Sequence, residues 1–419
     1  MKRIEKLRQV ALDHKHYVDE DEFFYLFYKR YTENESESEH ARYADAFNYA
    51  LTNLTPYISD GELIVGEINA ELCGDSKEEW EKTYKDIAMS RRASAGGGQD
   101  SHMAVDYETL LSCGVNGIIE NIDRYAASCS EAQKEFYSTA KACLLAVLRH
   151  SENYAMLAES LAEKEADTTR KNELLEIARI CKKVPAKPAS SFYEAIQSVH
   201  FVSYCLSLNP FRGRQQFQLG HPDRYLLPYY ESDIQMGKLT KERAQLLLDC
   251  LGIQINMRVP RGLSSGYMVG GRDENGDVVA NELTEMLMQV IDDIRLVYPA
   301  VGLCYTRNMP ESFLKKACEI LSHGRSHPAI FNDDVITEGL IRYGVPEREA
   351  HSYIHSTCVE ITPVGSSYAW VASPYTNMPQ LLLDTMTREY SSFDEHISVL
   401  LEDLDKSIEK NFFDHPSAW

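Results

Sequence analysis

Between residues 191 and 324 the sequence alternates short apolar runs with helical stretches of a dozen or more residues, and this alternation constrains the fold more than any other feature. Ser191 and Glu194 have capping-box spacing and open SFYEAIQSVHFVSYCLSL, whose mostly apolar character predicts a buried helix closed by Asn209-Pro210. Thr240 is the expected N-cap of a second helix through KERAQLLLDCLGIQIN. A strand-like segment follows around Gly266–Gly271, then a helix over NELTEMLMQVIDDIRL, then a strand at PAVGLCYT. PESFLKKACEILSHG reads as a further helix, with Pro310 near its start and Gly324 just past its end. Strands separated by helices of this length pair in parallel, because a hairpin turn is too short to hold the helix. The expected fold class is therefore α/β with largely parallel strands.

The flanking regions are more helical. The first 60 residues read as helices rich in aromatics and charges, ending at the turn Ser59-Asp60-Gly61. Glu62-Leu63-Ile64-Val65-Gly66 reads as a short buried strand. SRRASAGGGQDS at 90–101 reads as a loop. Its three glycines allow φ > 0, but no GxGxxG or Walker pattern follows to support a phosphate cradle. Helical periodicity returns from 105 to 185, where Pro185 and Pro188 break it. With 419 residues, no internal repeat and no long linker, the chain fits two or three domains or one large α/β barrel.

Composition excludes some classes of function. At 44% hydrophobic and 26% charged residues the chain is too apolar for disorder. A formal charge of −21 argues against a nucleic-acid surface or a polybasic membrane patch, both of which need clustered cations. Anionic small substrates stay open, since a few local arginines can reverse the sign inside one cleft. No run approaches 18 apolar residues, and no apolar segment follows the basic start MKRIEKLR to make a secretory signal. Ten cysteines are scattered without a CxxC pair, which removes most zinc and redox motifs. Reduced, mostly buried cysteines in a cytoplasmic protein without a bound metal are the expectation.

The most informative stretch is SYIHSTCVEITPVGSSYAWVASPYTN at 352–377. In an extended segment Cys358 and Glu360 project to the same side, about 6.6 Å apart. A thiol and a carboxylate so placed can serve a one-electron step at one carbon and a proton transfer beside it. By itself the triplet is unspecific, and a buried cysteine beside a salt-bridged glutamate is the commoner meaning. A cysteine-protease arrangement with His351 or His355 as base lacks any local signature.

Five blocks, in order, resemble the pyruvate formate-lyase-like domain of glycyl radical enzymes. YISDGELIVGE at 57–67 resembles its DGELIVG segment, and SHMAVDYETLLSCGVNGIIENI at 101–122 its HxxPDYExVLxxGLxGI block. SFYEAIQ…QLGHPDRYLLPYYESDI resembles FYEALQ…SLGRFDQYLYPFY, and YMVGGRDENGD…NELT resembles TLGGxDxxGxDATNELS. PAIFNDDVITEGLIRYGVPEREAHSY leads to STCVE as PAFFNDEVxxxALxxxGVxxEDARDY leads to GCVE. The resemblance implies a glycyl radical, installed by a separate iron–sulfur, S-adenosylmethionine-dependent activase, that oxidises Cys358 to a hydrogen-abstracting thiyl. Glu360 matches the general base of the eliminating members. Thr357 stands where pyruvate formate-lyase has a second cysteine, which disfavours formate-lyase activity.

The resemblance further implies a fold with an N-terminal helical region (1–56) and about half of a glycyl-radical-enzyme barrel (57–419), without the RVxGY-like glycyl loop. A complementary glycyl-bearing chain, the activase and homo- or hetero-oligomerisation are the expected partners, since half a barrel leaves sheet edges open. Carried over residue by residue, His102, Gln216 (or Gln218), Arg261 and Tyr375 become substrate contacts, and Arg258, Arg212 and Arg214 add cations nearby. The expected function is a lyase or dehydratase eliminating a group from a small hydroxylated metabolite. The alternatives are a non-catalytic, partner-binding fragment, or a radical enzyme like the arylacetate decarboxylases or formate acyltransferases.

Overall fold

Three parallel strands, β1 (Gly266–Gly270), β2 (Ala300–Tyr305) and β3 (Ala329–Asn332), stand side by side in that order. The helices Glu282–Ile294 and Glu311–Ser322 form the crossovers between them, as the alternation predicts. The structure is a computed structural model and describes residues 2–14, 21–33, 38–67, 74–94, 103–211, 217–258, 265–355, 360–365 and 377–413. Gly266 pairs with Ala300, and Gly302 with Ala329. Residues 217–220 extend the sheet beyond β1, because Leu219 donates to Gly266 O (2.9 Å) and Met268 to Gly220 O (2.9 Å). Ala104 lies beyond them in turn, bridged in parallel to Gln218.

The alternation of side chains divides the sheet into two faces. Tyr267, Val269, Val301 and Leu303 belong to the main core, together with Leu283, Leu287, Val290, Ile291 and Ile294 of the first crossover. Each of these aliphatic side chains, fully withdrawn from water, stabilises the fold by about 1.5–3 kcal/mol. The helices Phe192–Leu206 and Lys241–Arg258 are buried on nearly every side, which accounts for their continuous apolar runs. The opposite face carries Met268 and Cys304 and packs in a separate small core with Ala104, Tyr353 and Ile354.

Thr240 caps its helix as expected, its hydroxyl accepting from Arg243 N (3.2 Å). Ser191 likewise accepts from Glu194 N (3.2 Å), but the buried Glu194 carboxylate bonds Ser190, Lys183 and Arg179 instead. The helix Lys85–Ser94 takes the first residues of the expected 90–101 loop, and residues 95–101 lie outside the described residues.

Residues 62–66 correct the strand reading. They are buried but pair with no strand among the described residues, and side chains supply backbone partners instead. Gln197 accepts from Val65 N (2.9 Å) and donates to Val65 O (2.6 Å), Tyr193 donates to Leu63 O, and His200 bonds Gly66 O (2.9 Å). Glu62 turns back on its own segment to accept from Leu63 N and Ile64 N, and takes a further bond from Gln254 (3.0 Å). Glu67, also buried, accepts from the amide and hydroxyl of Ser59.

Burial, reinforced by the neighbouring Glu62, raises the Glu67 carboxyl to about 7. The folded state therefore holds a proton that the unfolded chain, with an ordinary glutamate near 4.5, releases. This contribution to stability is complete below about pH 4.5 and is lost as pH rises through about 7. At 1.36 kcal/mol per unit the loss is on the order of 3 kcal/mol. Denaturation at pH 5 and pH 8 should show a smaller pH-dependent drop for Glu67→Gln than for the parent. Equal drops in the two proteins would remove Glu67 as the titrating group.

Candidate active site

A hairpin whose strands flank Cys358 in sequence packs against the face of the sheet that carries Met268 and Cys304. β4 (Tyr353–His355) and β5 (Ile361–Pro363) pair antiparallel, with His355 opposite Ile361, so residues 356–360 connect the last pair. His355 N donates to Met268 Sδ (2.9 Å), and its ring lies flat on Phe331 at 5.2 Å. A Cβ at Gly302 would come within 3.0–3.1 Å of Met268, Phe331 and the His355 ring, so the glycine makes room for the hairpin. Tyr353 and Ile354 are fully buried against this face. The hairpin's other flank reaches the far margin of the sheet, where Gly365 N donates to Ala104 O (3.0 Å).

Polar groups fix the base of the hairpin. His221 Nε2 donates to Tyr353 O (2.5 Å), and Arg224 donates to His351 O (2.9 Å) and Gly270 O (2.8 Å). Asp223 accepts from Gly270 N (2.6 Å) and from the Thr284 hydroxyl (2.8 Å). Arg272 Nε meets Asp333 at 2.7 Å beside β3. Burial governs the charge states here. It raises Asp223 to about 6, still ionised at neutral pH, and with Arg224 it holds His221 well below the usual histidine range. Burial also lifts the Cys304 thiol to about 12 and keeps the Tyr353 phenol protonated.

Among the anticipated site residues the structure describes Glu360, which is exposed where β5 begins. Cys358, His102, Gln216, Arg261 and Tyr375 lie outside the described residues, as do Arg212 and Arg214. Described neighbours of three of them come together. Met103 follows His102 and Phe217 follows Gln216, and these two segments bond through Gln218 N to Met103 O (3.1 Å). Ser265, four residues after Arg261, donates to Phe217 O (3.0 Å).

Gln218, the alternative to Gln216, is committed to the backbone and accepts from Gly266 N (2.8 Å). Burial lowers the Arg258 guanidinium to about 10, and it sits among Tyr107, His200 and Cys205. Sequence reasoning did not single out His221, Asp223, Arg224 or Tyr353. The available signal was the cluster of charged and imidazole side chains in HPDR, inside an otherwise apolar block.

Residues 69–399 match the family described as pyruvate formate lyase-like. The (2S)-3-sulfopropanediol dehydratase of Klebsiella oxytoca is 26% identical over 461 residues, covering 91% of this chain and 55% of that enzyme. The trans-4-hydroxy-L-proline dehydratase of Clostridioides difficile is 32% identical over 252 residues, 57% of this chain and 31% of the other. The crystal structure of a glycyl radical enzyme from Archaeoglobus fulgidus superposes with a TM-score of 0.81 at 27% identity, covering 98% of this chain and 63% of its own. This chain thus spans little more than half of the first relative and under two thirds of the solved one. With five ordered sequence blocks, a matching fold and a family match over most of its length, the chain belongs to the pyruvate formate lyase-like family of glycyl radical enzymes.

Proposed function

We propose that this chain is the thiyl-bearing part of a glycyl radical lyase that eliminates a group from a small, hydroxylated, anionic metabolite. The observation that supports this most is the hairpin: its strands, which flank Cys358 in sequence, are pinned to one face of a parallel sheet, with Glu360 where the second strand begins. Such a support fixes a reactive loop without depending on the loop's own contacts. The glycyl radical would reside on a part of the enzyme outside these 419 residues, installed by an iron–sulfur, S-adenosylmethionine activase, and it supplies the one-electron oxidation of the Cys358 thiol. The Cys358 thiyl removes a hydrogen atom from the hydroxyl-bearing carbon, forming S–H. Glu360 takes the proton of that hydroxyl, and the group on the adjacent carbon leaves as its anion with the bonding pair, so that a carbonyl forms and the unpaired electron moves to the adjacent carbon. That carbon takes the hydrogen atom back from Cys358, which completes the product and restores the thiyl.

His102 and Gln216 act as hydroxyl and polar contacts, Tyr375 as a pocket wall, and Arg261 as the anion partner. Arginine's planar fork pairs with a carboxylate or sulfonate through two parallel hydrogen bonds. The compounds named for the two relatives, 3-sulfopropanediol and 4-hydroxy-L-proline, each carry a hydroxyl and an anionic group, which favours the same class here. Support for a complementary part comes from β3. Among the described residues it pairs with β2 alone, and Ile330, Val335 and Tyr343 near it are exposed. Among the described residues no helix is long and apolar enough to cross a membrane.

The test is anaerobic: the chain, joined to or mixed with a glycyl-bearing part and an activase, is offered sulfonated and carboxylated hydroxy compounds beside glycerol and choline. Turnover of an anionic compound, falling about tenfold to a thousandfold in Arg261→Ala, is the expected result, at roughly 1.5–3 kcal/mol per charged hydrogen bond. Turnover of glycerol or choline in preference would overturn the anionic assignment. An organic radical without any turnover would favour a partner-binding subunit instead.

A further inference from the structure

We infer that His221, Asp223 and Arg224 form a clamp that positions the Tyr353–Pro363 hairpin, whose strands flank Cys358 in sequence. These residues, within one stretch of four, join three elements. His221 and Arg224 hold the Tyr353 and His351 carbonyls at the base of the hairpin, more than 120 residues away in sequence. Arg224 and Asp223 together take both the carbonyl and the amide of Gly270, at the end of β1. Asp223 also binds Thr284, and its carbonyl accepts from Asn281 Nδ2 (2.9 Å), so the first turn of the Glu282–Ile294 helix is held as well. His221 and Asp223 are buried, and Arg224 is half-buried. Water therefore competes poorly for these bonds, and removing one partner leaves the others unsatisfied.

Within the clamp the Arg224 guanidinium stands beside the Asp223 carboxylate and favours its ionised form, while burial and the same guanidinium disfavour the charged form of His221. Removing Arg224 would leave the buried Asp223 charge without this compensation.

The inference takes from the proposed function the reading that this hairpin carries the hydrogen-abstracting cysteine. Its test does not use turnover. Hydrogen–deuterium exchange is followed on the full chain for the amides of residues 352–364, with those of the Thr168–Cys181 helix as a remote reference. Arg224→Gln and His221→Phe, each of which removes a bond to the hairpin's base, should each speed hairpin exchange at least about tenfold relative to that reference. Unchanged hairpin exchange in Arg224→Gln would overturn the clamp. Should Arg224→Gln fail to accumulate in soluble form, Arg224→Lys takes its place, and unchanged hairpin exchange there would equally overturn the clamp. A clamp that passes while the enzyme shows no radical chemistry would fail the functional reading alone.

Discussion

Gly266→Ala should leave the chain unable to assemble its central sheet. A Cβ at this position would stand 1.8 Å from Ala300 O and 2.5–2.6 Å from Ala300 C and N. Those are backbone atoms of β2, and they cannot turn aside as a flexible side chain can. The Gly266–Ala300 pair opens the β1–β2 register, Gly266 O accepts from Leu219 N, and its amide is held by Gln218. Moving the strands apart by the ångström or more required would break bonds on both sides of β1 at once. The expected loss exceeds about 4 kcal/mol, a magnitude reached only by a few mechanisms, of which backbone overpacking is one. Gly339→Ala is the control. Gly339 lies inside the Asp333–Arg342 helix, where an added Cβ would meet nothing within 4 Å, so alanine should stabilise by up to about 1 kcal/mol. The two variants are compared by soluble yield and thermal midpoint, and a Gly266→Ala midpoint within a few degrees of the parent would contradict the close approach.

What the sequence made legible was local. The Thr240 cap, the buried Phe192–Leu206 helix and the strands at Gly266 and Ala300 each follow from residues within one or two turns of one another. Parallel pairing followed from the helix lengths between them. The misreading at Glu62–Gly66 shows the limit. Four apolar or glycine residues after a turn suggest a strand, but their hydrogen-bond partners are the side chains of Gln197, Tyr193 and His200, some 130 residues later. Nothing within the segment distinguishes a neighbouring strand from a helix that offers side-chain amides. The site divides in the same way. The Cys358–Glu360 spacing and the blocks around it were readable as a pattern. The clamp was not, because HPDR read alone is a helix start with Pro222 in the first turn, and its partners at His351 and Tyr353 are far along the chain.

On the proposed mechanism Cys358 and Glu360 should fail in different ways when replaced. Cys358→Ser should remove turnover entirely, a loss of at least about 10⁵-fold, since rate enhancements of 10⁶ or more rest on the step that the residue performs. A serine hydroxyl holds its hydrogen too strongly to give it up to a carbon-centred radical or to be oxidised by a glycyl one. Glu360→Gln should lower turnover by about 10²–10⁴, the usual contribution of a positioned proton acceptor, because the substrate radical still forms but its hydroxyl keeps the proton. That radical can then only take a hydrogen atom back from Cys358. The thiol exchanges its hydrogen with solvent, so in deuterated water the recovered substrate should gain deuterium at the hydroxyl-bearing carbon. Glu360→Gln should therefore show label in unconverted substrate together with slow product formation, whereas Cys358→Ser should show neither. Mass spectrometry of the recovered substrate separates the two. Label appearing with Cys358→Ser would place hydrogen abstraction on another residue. Glu360→Gln with full turnover would move the base elsewhere and leave the carboxylate, already exposed where β5 begins, without a part in the reaction.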